Sequence, residues 1–62
     1  MKLRDLIKHL KKNDCDLVRE GGKYSVYVNK KTDIEVPVTR HPEIAEFAAR
    51  KICKALGIDP IK

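Results

Sequence analysis

Aromatic side chains are scarce in this sequence, which has no tryptophan, one phenylalanine and two tyrosines among 62 residues. The chain is also short, and a domain of this size buries only about 60% of the surface that its unfolded form exposes. We therefore expect no deep cavity and no small-molecule substrate. A functional site should lie on the surface, on loops and on one face of the fold.

Cysteines are few as well. Cys15 and Cys53 cannot form a disulfide scaffold, and the N-terminal residues lack the long apolar core of a secretory signal. We therefore expect buried, free thiols in a cytoplasmic protein, while a bond between them depends on geometry that the sequence does not contain. The longest apolar run is a few residues, whereas a membrane span needs roughly 20, so no membrane partner is expected.

Motifs for metal binding and nucleophilic catalysis are also missing. The candidate metal ligands show neither a CxxC pair nor an HxxxH pair; they are His9, Cys15, His41 and Cys53. Gly21-Gly22 precedes a predicted strand rather than a helix, so it is not a phosphate-binding loop, and Ser25 has no nearby candidate base. We expect neither a metal nor another cofactor, and we interpret His9 as a solvated surface residue.

Apolar residues at helical spacing predict a helix at each end of the chain. In residues 1–13 the apolar stripe consists of Leu3, Leu6, Ile7 and Leu10. Asn13-Asp14 is expected to end this helix, because asparagine tolerates the left-handed conformation. The second helix is expected to begin at Pro42 and to end at Gly57, with Ile58 folded back on its last turn. Its predicted core face carries Ile44, Phe47, Ala48, Ile52, Ala55 and Leu56.

Three short strands are predicted between the helices. The first covers residues 17–20, and Gly21-Gly22 after it is typical of a two-residue hairpin turn. The second covers residues 23–29 and alternates between two faces. One of these faces carries Tyr24, Val26 and Val28. The third strand carries Ile34, Val36 and Val38 on one face, and Pro37 indicates an edge strand or a bulge because proline lacks a backbone N–H.

These elements predict an α+β domain with the order α-β-β-β-α. The three-stranded antiparallel sheet is expected to carry both helices on one face, which makes a two-layer fold. Since no repeat or linker interrupts the pattern, residues 1–58 should form a single domain. Pro60 rules out a longer helix, so residues 59–62 are predicted to be a C-terminal tail.

The charge balance favours a polyanionic or acidic partner. The formal net charge is +5, from 14 lysines and arginines against 9 acidic residues. Strand loops and the second helix could form a basic rim that follows phosphates without reading bases. The residues predicted to contact RNA in this way are Lys23, Lys30, Lys31, Arg40, His41, Arg50, Lys51 and Lys54. The alternative is a solvated surface with scattered lysines.

Several short segments together resemble a known family. They are Leu17-Val18-Arg19-Glu20-Gly21-Gly22-Lys23, Glu35-Val36-Pro37-Val38, Arg40-His41-Pro42-Glu43-Ile44 and Leu56-Gly57-Ile58. In this combination the chain is similar to the HicA toxin family, the YcfA-like group. The resemblance covers nearly the whole chain and implies a fold like that of double-stranded-RNA-binding domains.

The resemblance also implies a function and two partners. Family members are mRNA interferases, endoribonuclease toxins that cleave mRNA without a metal, and a HicB-like antitoxin neutralises them. The family's catalytic histidine follows the Gly-Gly-Lys turn, and that position is Tyr24 here. Two further departures concern backbone geometry. Asp14 stands where glycine is usual, and Phe47-Ala48 stands where many members carry Gly-Thr.

Tyrosine supplies different chemistry from histidine at the catalytic position. Metal-free cleavage typically needs a base for the ribose 2′-OH and an acid for the leaving oxygen, and imidazole suits both. A free phenol ionises near pH 10 and is a poor base at pH 7, so most of the general acid–base factor should be lost. Tyr24 shares its strand face with Val26 and Val28, so its ring is alternatively expected to cap the edge of the core. Tyr27 is interpreted as a cross-strand partner rather than a base-stacking platform.

Three hypotheses follow. The first is a HicA-like toxin, an mRNA endoribonuclease whose activity is weakened or abolished by Tyr24. The second is a noncatalytic RNA-binding module that keeps the fold and the basic rim. The third is a domain that binds the acidic or hydrophobic surface of a partner protein.

Overall fold

Two helices flank three consecutive strands in the computed structural model, which describes residues 1–61. The elements are α1 (Leu3–Lys12), β1 (Cys15–Glu20), β2 (Tyr24–Asn29), β3 (Ile34–Thr39) and α2 (Glu46–Ala55). The predicted α-β-β-β-α order and α+β class are confirmed. Within residues 1–61, neither helix has the length and apolar character needed to cross a membrane.

The strands form one antiparallel sheet with β2 in the middle. β1 is two residues longer than predicted, because Cys15 and Asp16 also pair with β2. Its register with β2 shifts between Leu17 and Arg19, so that Val18 is the extra residue of a bulge. Pro37 lies in β3, which is an edge strand as predicted.

Both helices pack on the same face of the sheet, as the two-layer prediction required. The core between the layers contains Leu6 and Leu10 of α1, Cys15, Tyr27 and Val38 of the sheet, and Ala49, Cys53 and Leu56 near or in α2. Both cysteines are free and fully buried, in agreement with the expectation of buried thiols. The other sheet face carries no helix, and we call it the open face.

The prediction that the face of Tyr24, Val26 and Val28 borders the core was wrong. Tyr27 belongs to the core cluster, and Ser25 and Asn29 are also buried on that side of β2. The alternation itself was correct, but the polar residues of β2 face the helices. Asn29 can be buried there because both of its polar side-chain atoms are hydrogen-bonded, Nδ2 to the Leu56 carbonyl and Oδ1 to the Lys31 amide, and a bonded polar group can be buried at little net cost.

The open face therefore carries Tyr24, Val26 and Val28, the apolar set of β2. Tyr24 lies opposite Thr39 and is 52% exposed. Val26 is nonetheless buried, since it lies between Arg19 of β1 and Pro37 of β3 in the paired register. The Arg19 guanidinium also reaches over the face to the Glu35 carboxylate, at 3.4 Å.

The second helix begins four residues later than predicted, at Glu46 instead of Pro42. The chain before it runs antiparallel to the N-terminus, with a bridge between Lys2 and Glu43. The Leu3 amide donates to the Pro42 carbonyl at 2.9 Å, and the Ile44 amide donates to the Met1 carbonyl at 2.9 Å. Because these bonds hold the backbone extended, proline does not start the helix here.

The late start also changes the core face of α2. Ile44 precedes the helix, so its position does not set the helical phase. The inward-facing residues are Ala48, Ala49, Ile52, Cys53 and Leu56. The expectation that Phe47 and Ala55 belong to the core face was wrong, since both are exposed.

The end of α2 matches the prediction. Gly57 takes a φ of 75°, the Gly57 amide donates to the Lys54 carbonyl, and the Ile58 amide donates to the Cys53 carbonyl. This pair of bonds is a Schellman motif, and Ile58 packs back against the core. At the end of α1 the left-handed residue is Asp14, with a φ of 62°, rather than Asn13.

The C-terminal residues return to the helices. The Asp59 carbonyl lies 2.7 Å from Nε2 of His9, and Ile61 packs against the core. Of the predicted tail at 59–62, Lys62 lies outside the described residues. The division into a domain and a tail stays a prediction.

Candidate functional site

One end of the sheet collects four of the residues predicted to act on RNA. Tyr24 begins β2 and pairs with Thr39, the last residue of β3. The turn before Tyr24 and the segment after Thr39 are therefore neighbours. We call the resulting surface the turn-end surface; it consists of Lys23, Tyr24, Arg40 and His41.

The turn that presents Tyr24 is tightly closed. The Gly21 amide donates to the Tyr24 carbonyl at 2.7 Å, so the connection between the strands spans residues 21–23 and is one residue longer than the predicted two-residue turn. Gly21 is needed for its close approach, since a Cβ added there would lie 3.0 Å from the Tyr24 carbonyl oxygen, whereas one added at Gly22 would meet nothing within 4 Å.

Arg40 fastens the segment after β3 to this turn. Its amide donates to the Lys23 carbonyl at 3.2 Å, and its Nη1 donates to the Gly21 carbonyl at 2.8 Å. A guanidinium has five N–H donors, so this anchoring leaves most of them for an anion. Arg40 is exposed, and its fixed fork is suited to a phosphate.

His41 is held by local bonds beside Arg40. Its amide donates to Oγ1 of Thr39 at 3.2 Å. Its Nδ1 lies 3.1 Å from the Glu43 carbonyl oxygen and 3.3 Å from the Glu43 amide nitrogen. Within residues 1–61, the other ring nitrogen has no hydrogen bond and the residue is exposed, so Nε2 is the ring atom available to a ligand.

Tyr24 presents its ring to solvent from the open face. About half of the residue is exposed, and no side-chain hydrogen bond from it occurs within the described part of the chain. Its hydroxyl can donate to a phosphate oxygen, and its ring offers an apolar surface to a base. Tyr27, by contrast, is 5% exposed in the core, where burial and the nearby Glu20 carboxylate raise the pKa of its phenol.

Lys30 and Lys31 lie at the opposite end of β2. The six residues of β2 separate Lys23 from Lys30, a distance of about 20 Å at the usual rise of a strand. Lys30 Nζ is 2.6 Å from Asp16, and Lys31 Nζ is 3.4 Å from Asp14. The hydrogen bond to Asp16 raises the pKa of the Lys30 ammonium group.

The remaining predicted cations lie on α2, in the other layer. Arg50 contacts Glu46 at 3.8 Å, and Lys51 Nζ lies 6.0 Å from the centre of the Phe47 ring. The eight predicted residues thus fall into three groups, at the two ends of the sheet and along α2. Their contact with RNA stays a prediction.

The two cysteines do not form a reactive centre. Burial is the main cause that raises the pKa of both thiols, and the nearby Cys53 adds to the effect on Cys15. Raised pKa values keep the thiols protonated, and the thiolate is the reactive form. Within residues 1–61, no group of three or more histidine, cysteine, aspartate or glutamate side chains is arranged to hold a metal ion.

Phe47 is a surface residue that the sequence prediction assigned to the core. It is 66% exposed in the first turn of α2. The signal that could have placed it correctly is the apolar stripe at Ala49, Cys53 and Leu56, which is complete without Phe47 at the i, i+4, i+7 spacing.

Comparison with known proteins identifies the family. A family model described as HicA toxin of bacterial toxin–antitoxin matches residues 3–58. The searches of curated proteins and of solved structures gave no significant match. The family match makes the chain the toxin of a toxin–antitoxin pair and gives it an antitoxin as a partner. With nearly all of its length matched, the chain belongs to the HicA toxin family.

Proposed function

We propose that this toxin acts on mRNA through the turn-end surface, and that its cleavage activity is weakened or abolished because Tyr24 occupies the family's catalytic position. The observation that carries the proposal is the placement of Tyr24, which is exposed on the open face at the end of the sheet where the Arg40 amide bonds to the Lys23 carbonyl. A residue with only a structural role is usually buried, and Tyr27 three residues later fills that role. The proposed antitoxin is HicB-like, as the family implies.

The surface supplies phosphate binding but little proton transfer. Lys23 and Arg40 would attract and orient the RNA backbone, and the Tyr24 hydroxyl would donate a hydrogen bond to the scissile phosphate. A phenol at pH 7 cannot take the proton of the 2′-OH efficiently. General acid–base catalysis typically contributes 10²–10⁴-fold, so the rate should fall by about that factor relative to a histidine at position 24.

His41 does not replace the missing base in this proposal. Its Nδ1 is occupied by the Glu43 backbone, which ties the ring to the segment before α2. We assign His41 to RNA contact together with Arg40. Tyr24 is therefore the residue that we place next to the scissile phosphate.

The test compares the protein with its Tyr24→His and Tyr24→Phe variants on mRNA in EDTA. Cleavage by Tyr24→His alone supports a toxin disabled at one position. Cleavage by the unmodified protein at the same rate as Tyr24→His contradicts our view of Tyr24. If no variant cuts the RNA, the chain is not a ribonuclease disabled at this position. Tyr24→Phe separates the hydroxyl from the ring, because it removes only the hydrogen-bond donor.

A second candidate function is RNA binding without cleavage. The observation that favours it is that the turn-end surface combines cations with an exposed aromatic ring, while Nδ1 of its histidine contacts backbone. In that case RNA binds with steep salt dependence, and no variant at position 24 produces cleavage. Weak binding with a flat salt response would exclude both candidate functions.

A further inference from the structure

Phe47 is largely exposed to solvent and does not pack against the core. Single apolar residues on a surface are common, but this is the only phenylalanine of the chain. At 66% it is also the most exposed of the large hydrophobic residues in the described part of the molecule. Burying such a ring typically contributes about 1.5–3 kcal/mol, which the fold forgoes here.

Two lysines follow Phe47 on the same face of α2. Phe47, Lys51 and Lys54 follow the i, i+4, i+7 spacing that places residues on one stripe of a helix. Lys51 Nζ lies 6.0 Å from the ring centre, the outer limit of a cation–π contact. Phe47 is 66% exposed despite this neighbour, so much of the ring is open to solvent.

The charges of this stripe lack acidic partners within residues 1–61. Neither Lys51 nor Lys54 forms an ion pair there, and Glu46, the acid in the first turn of α2, is paired with Arg50 at 3.8 Å. A polyanion therefore meets two unpaired positive charges beside an accessible aromatic ring. This combination is the one that binds single-stranded nucleic acid, in which bases stack on rings and cations follow the phosphates.

We propose that Phe47 is a stacking site for an unpaired base of single-stranded RNA, with Lys51 and Lys54 binding the adjoining phosphates. This inference rests on the proposed action on RNA and extends it to a second contact surface. The substrate class it specifies is single-stranded RNA, since bases within a duplex do not present a free ring face.

The start of α2 lies toward the end of the sheet that carries the turn-end surface. The Asn29 side chain bonds to the Leu56 carbonyl, so the end of α2 lies at the end of β2 far from Tyr24. The 10-residue helix, about 15 Å long at 1.5 Å per residue, therefore starts toward the end that carries Tyr24. Phe47 lies in its first turn, which follows the segment containing Arg40 and His41.

A protein partner is the competing occupant of the stripe. An exposed phenylalanine can also fill a pocket on an antitoxin, and hot-spot rings are typically surrounded by uncharged contacts. Here the next two residues of the stripe, Lys51 and Lys54, are charged. The charges favour RNA.

Fluorescence anisotropy of a labelled, unstructured RNA oligonucleotide tests the inference. Phe47→Ala should weaken binding by about 5- to 150-fold, the range expected for losing one stacked base, without changing the slope of log Kd against log salt. Phe47→Tyr should retain most of the affinity. Lys51→Gln should instead lower that slope by about 1. Inorganic polyphosphate, which has no bases, should bind the unmodified protein and Phe47→Ala equally.

A second measurement reports the stacking directly. Because the chain has no tryptophan, Phe47→Trp introduces a unique tryptophan at the site, which can be excited selectively over the two tyrosines. Its emission should be quenched by the RNA oligonucleotide and not by polyphosphate. Quenching by neither ligand, with RNA affinity intact, would contradict stacking at this position.

These experiments distinguish failure of the Phe47 stacking site from failure of the proposed action on RNA. If the unmodified protein binds no RNA, both fail. If it binds RNA and Phe47→Ala binds equally well, the stacking site is wrong and the action on RNA stands. Equal losses of RNA and polyphosphate affinity would show that Phe47 does not contact a base. If Phe47→Ala weakens binding to the purified cognate antitoxin alone, the stripe is a protein-docking surface instead.

Discussion

The side-chain amide of Asn29 donates a 2.6 Å hydrogen bond to the carbonyl oxygen of Leu56, and this bond joins the last residue of β2 to the end of α2. The Oδ1 atom of Asn29 accepts a second bond, from the Lys31 amide at 2.9 Å. The residue is 3% exposed, so both polar ends of one buried side chain are satisfied. It also gives a partner to a helix-terminal carbonyl, a group that a helix leaves unpaired.

Replacing Asn29 should therefore destabilise the fold. Asn29→Ala leaves the buried Leu56 carbonyl without this partner, and we expect the free energy of unfolding to fall by about 1–3 kcal/mol. Urea unfolding followed by far-UV circular dichroism measures the change. Asn13→Ala is the matched control, because the side-chain amide of Asn13 donates to the carbonyl of His9, which lies one turn earlier in the same helix region. Equal losses in the two variants would contradict the inter-layer role of Asn29.

The two tyrosines of β2 should respond differently to truncation. Tyr27→Ala removes a core side chain and should lower the free energy of unfolding by about 3 kcal/mol or more. Tyr24→Ala removes a ring from the open face, and the change should stay within about 0.5 kcal/mol. Urea unfolding followed by far-UV circular dichroism measures both changes in the free energy of unfolding. A larger loss for Tyr24→Ala than for Tyr27→Ala would mean that the sheet faces its helices with the opposite side.

These tyrosines also mark the limit of what the sequence could predict. Period-two alternation correctly separated the residues of β2 into two sets, but alternation does not say which set the helices cover. The valines suggested one face, whereas the covered face contains Ser25 and Asn29. Asn29 is buried because of its bond to Leu56, 27 residues away in sequence. A local pattern cannot contain that contact.

In the helices and the site too, features set by local sequence were predictable and features set by long-range contacts were not. The apolar stripe of α1 and the end of α2 at Gly57 were predictable, because both depend on neighbours within two turns. The start of α2 was not, since the backbone pairing of Pro42 and Ile44 with the N-terminus is long-range. Because the start of α2 was misplaced, Phe47 was predicted to face the core. Tyr24 was identified only through the family resemblance, and its pairing with Thr39, the residue before Arg40, required the sheet register.

Stability should decline at alkaline pH. Burial raises the pKa of the thiols of Cys15 and Cys53 and of the Tyr27 phenol, while unfolding returns them to ordinary values of 9.0 for thiols and 10.0 for the phenol. Above about pH 8.5 the unfolded chain therefore binds fewer protons than the folded one. The contribution is complete below that pH and is lost as pH rises further.

Urea unfolding at a series of pH values checks this sign. The free energy of unfolding should decrease between about pH 8.5 and 10.5, and the slope should be shallower in Cys53→Ala, which removes one of the three groups. The absolute stability of that variant is lower at every pH, so the slope is the relevant quantity. Stability that increases over this range would show that the thiols are not buried as the structure has them.

The salt dependence of RNA binding should distinguish the two ends of β2. Lys23 belongs to the turn-end surface and has no ion pair within residues 1–61, whereas Lys30 lies 2.6 Å from Asp16. Neutralising a phosphate releases counterions, so Lys23→Ala should reduce the slope of log Kd against log salt by about 0.7–0.9. Lys30→Ala is the matched control and should leave the slope unchanged, because the charge of Lys30 is already balanced by a carboxylate. Anisotropy titrations from low to moderate salt measure both. An equal decrease for Lys30→Ala would place RNA along the whole sheet rather than at the turn end.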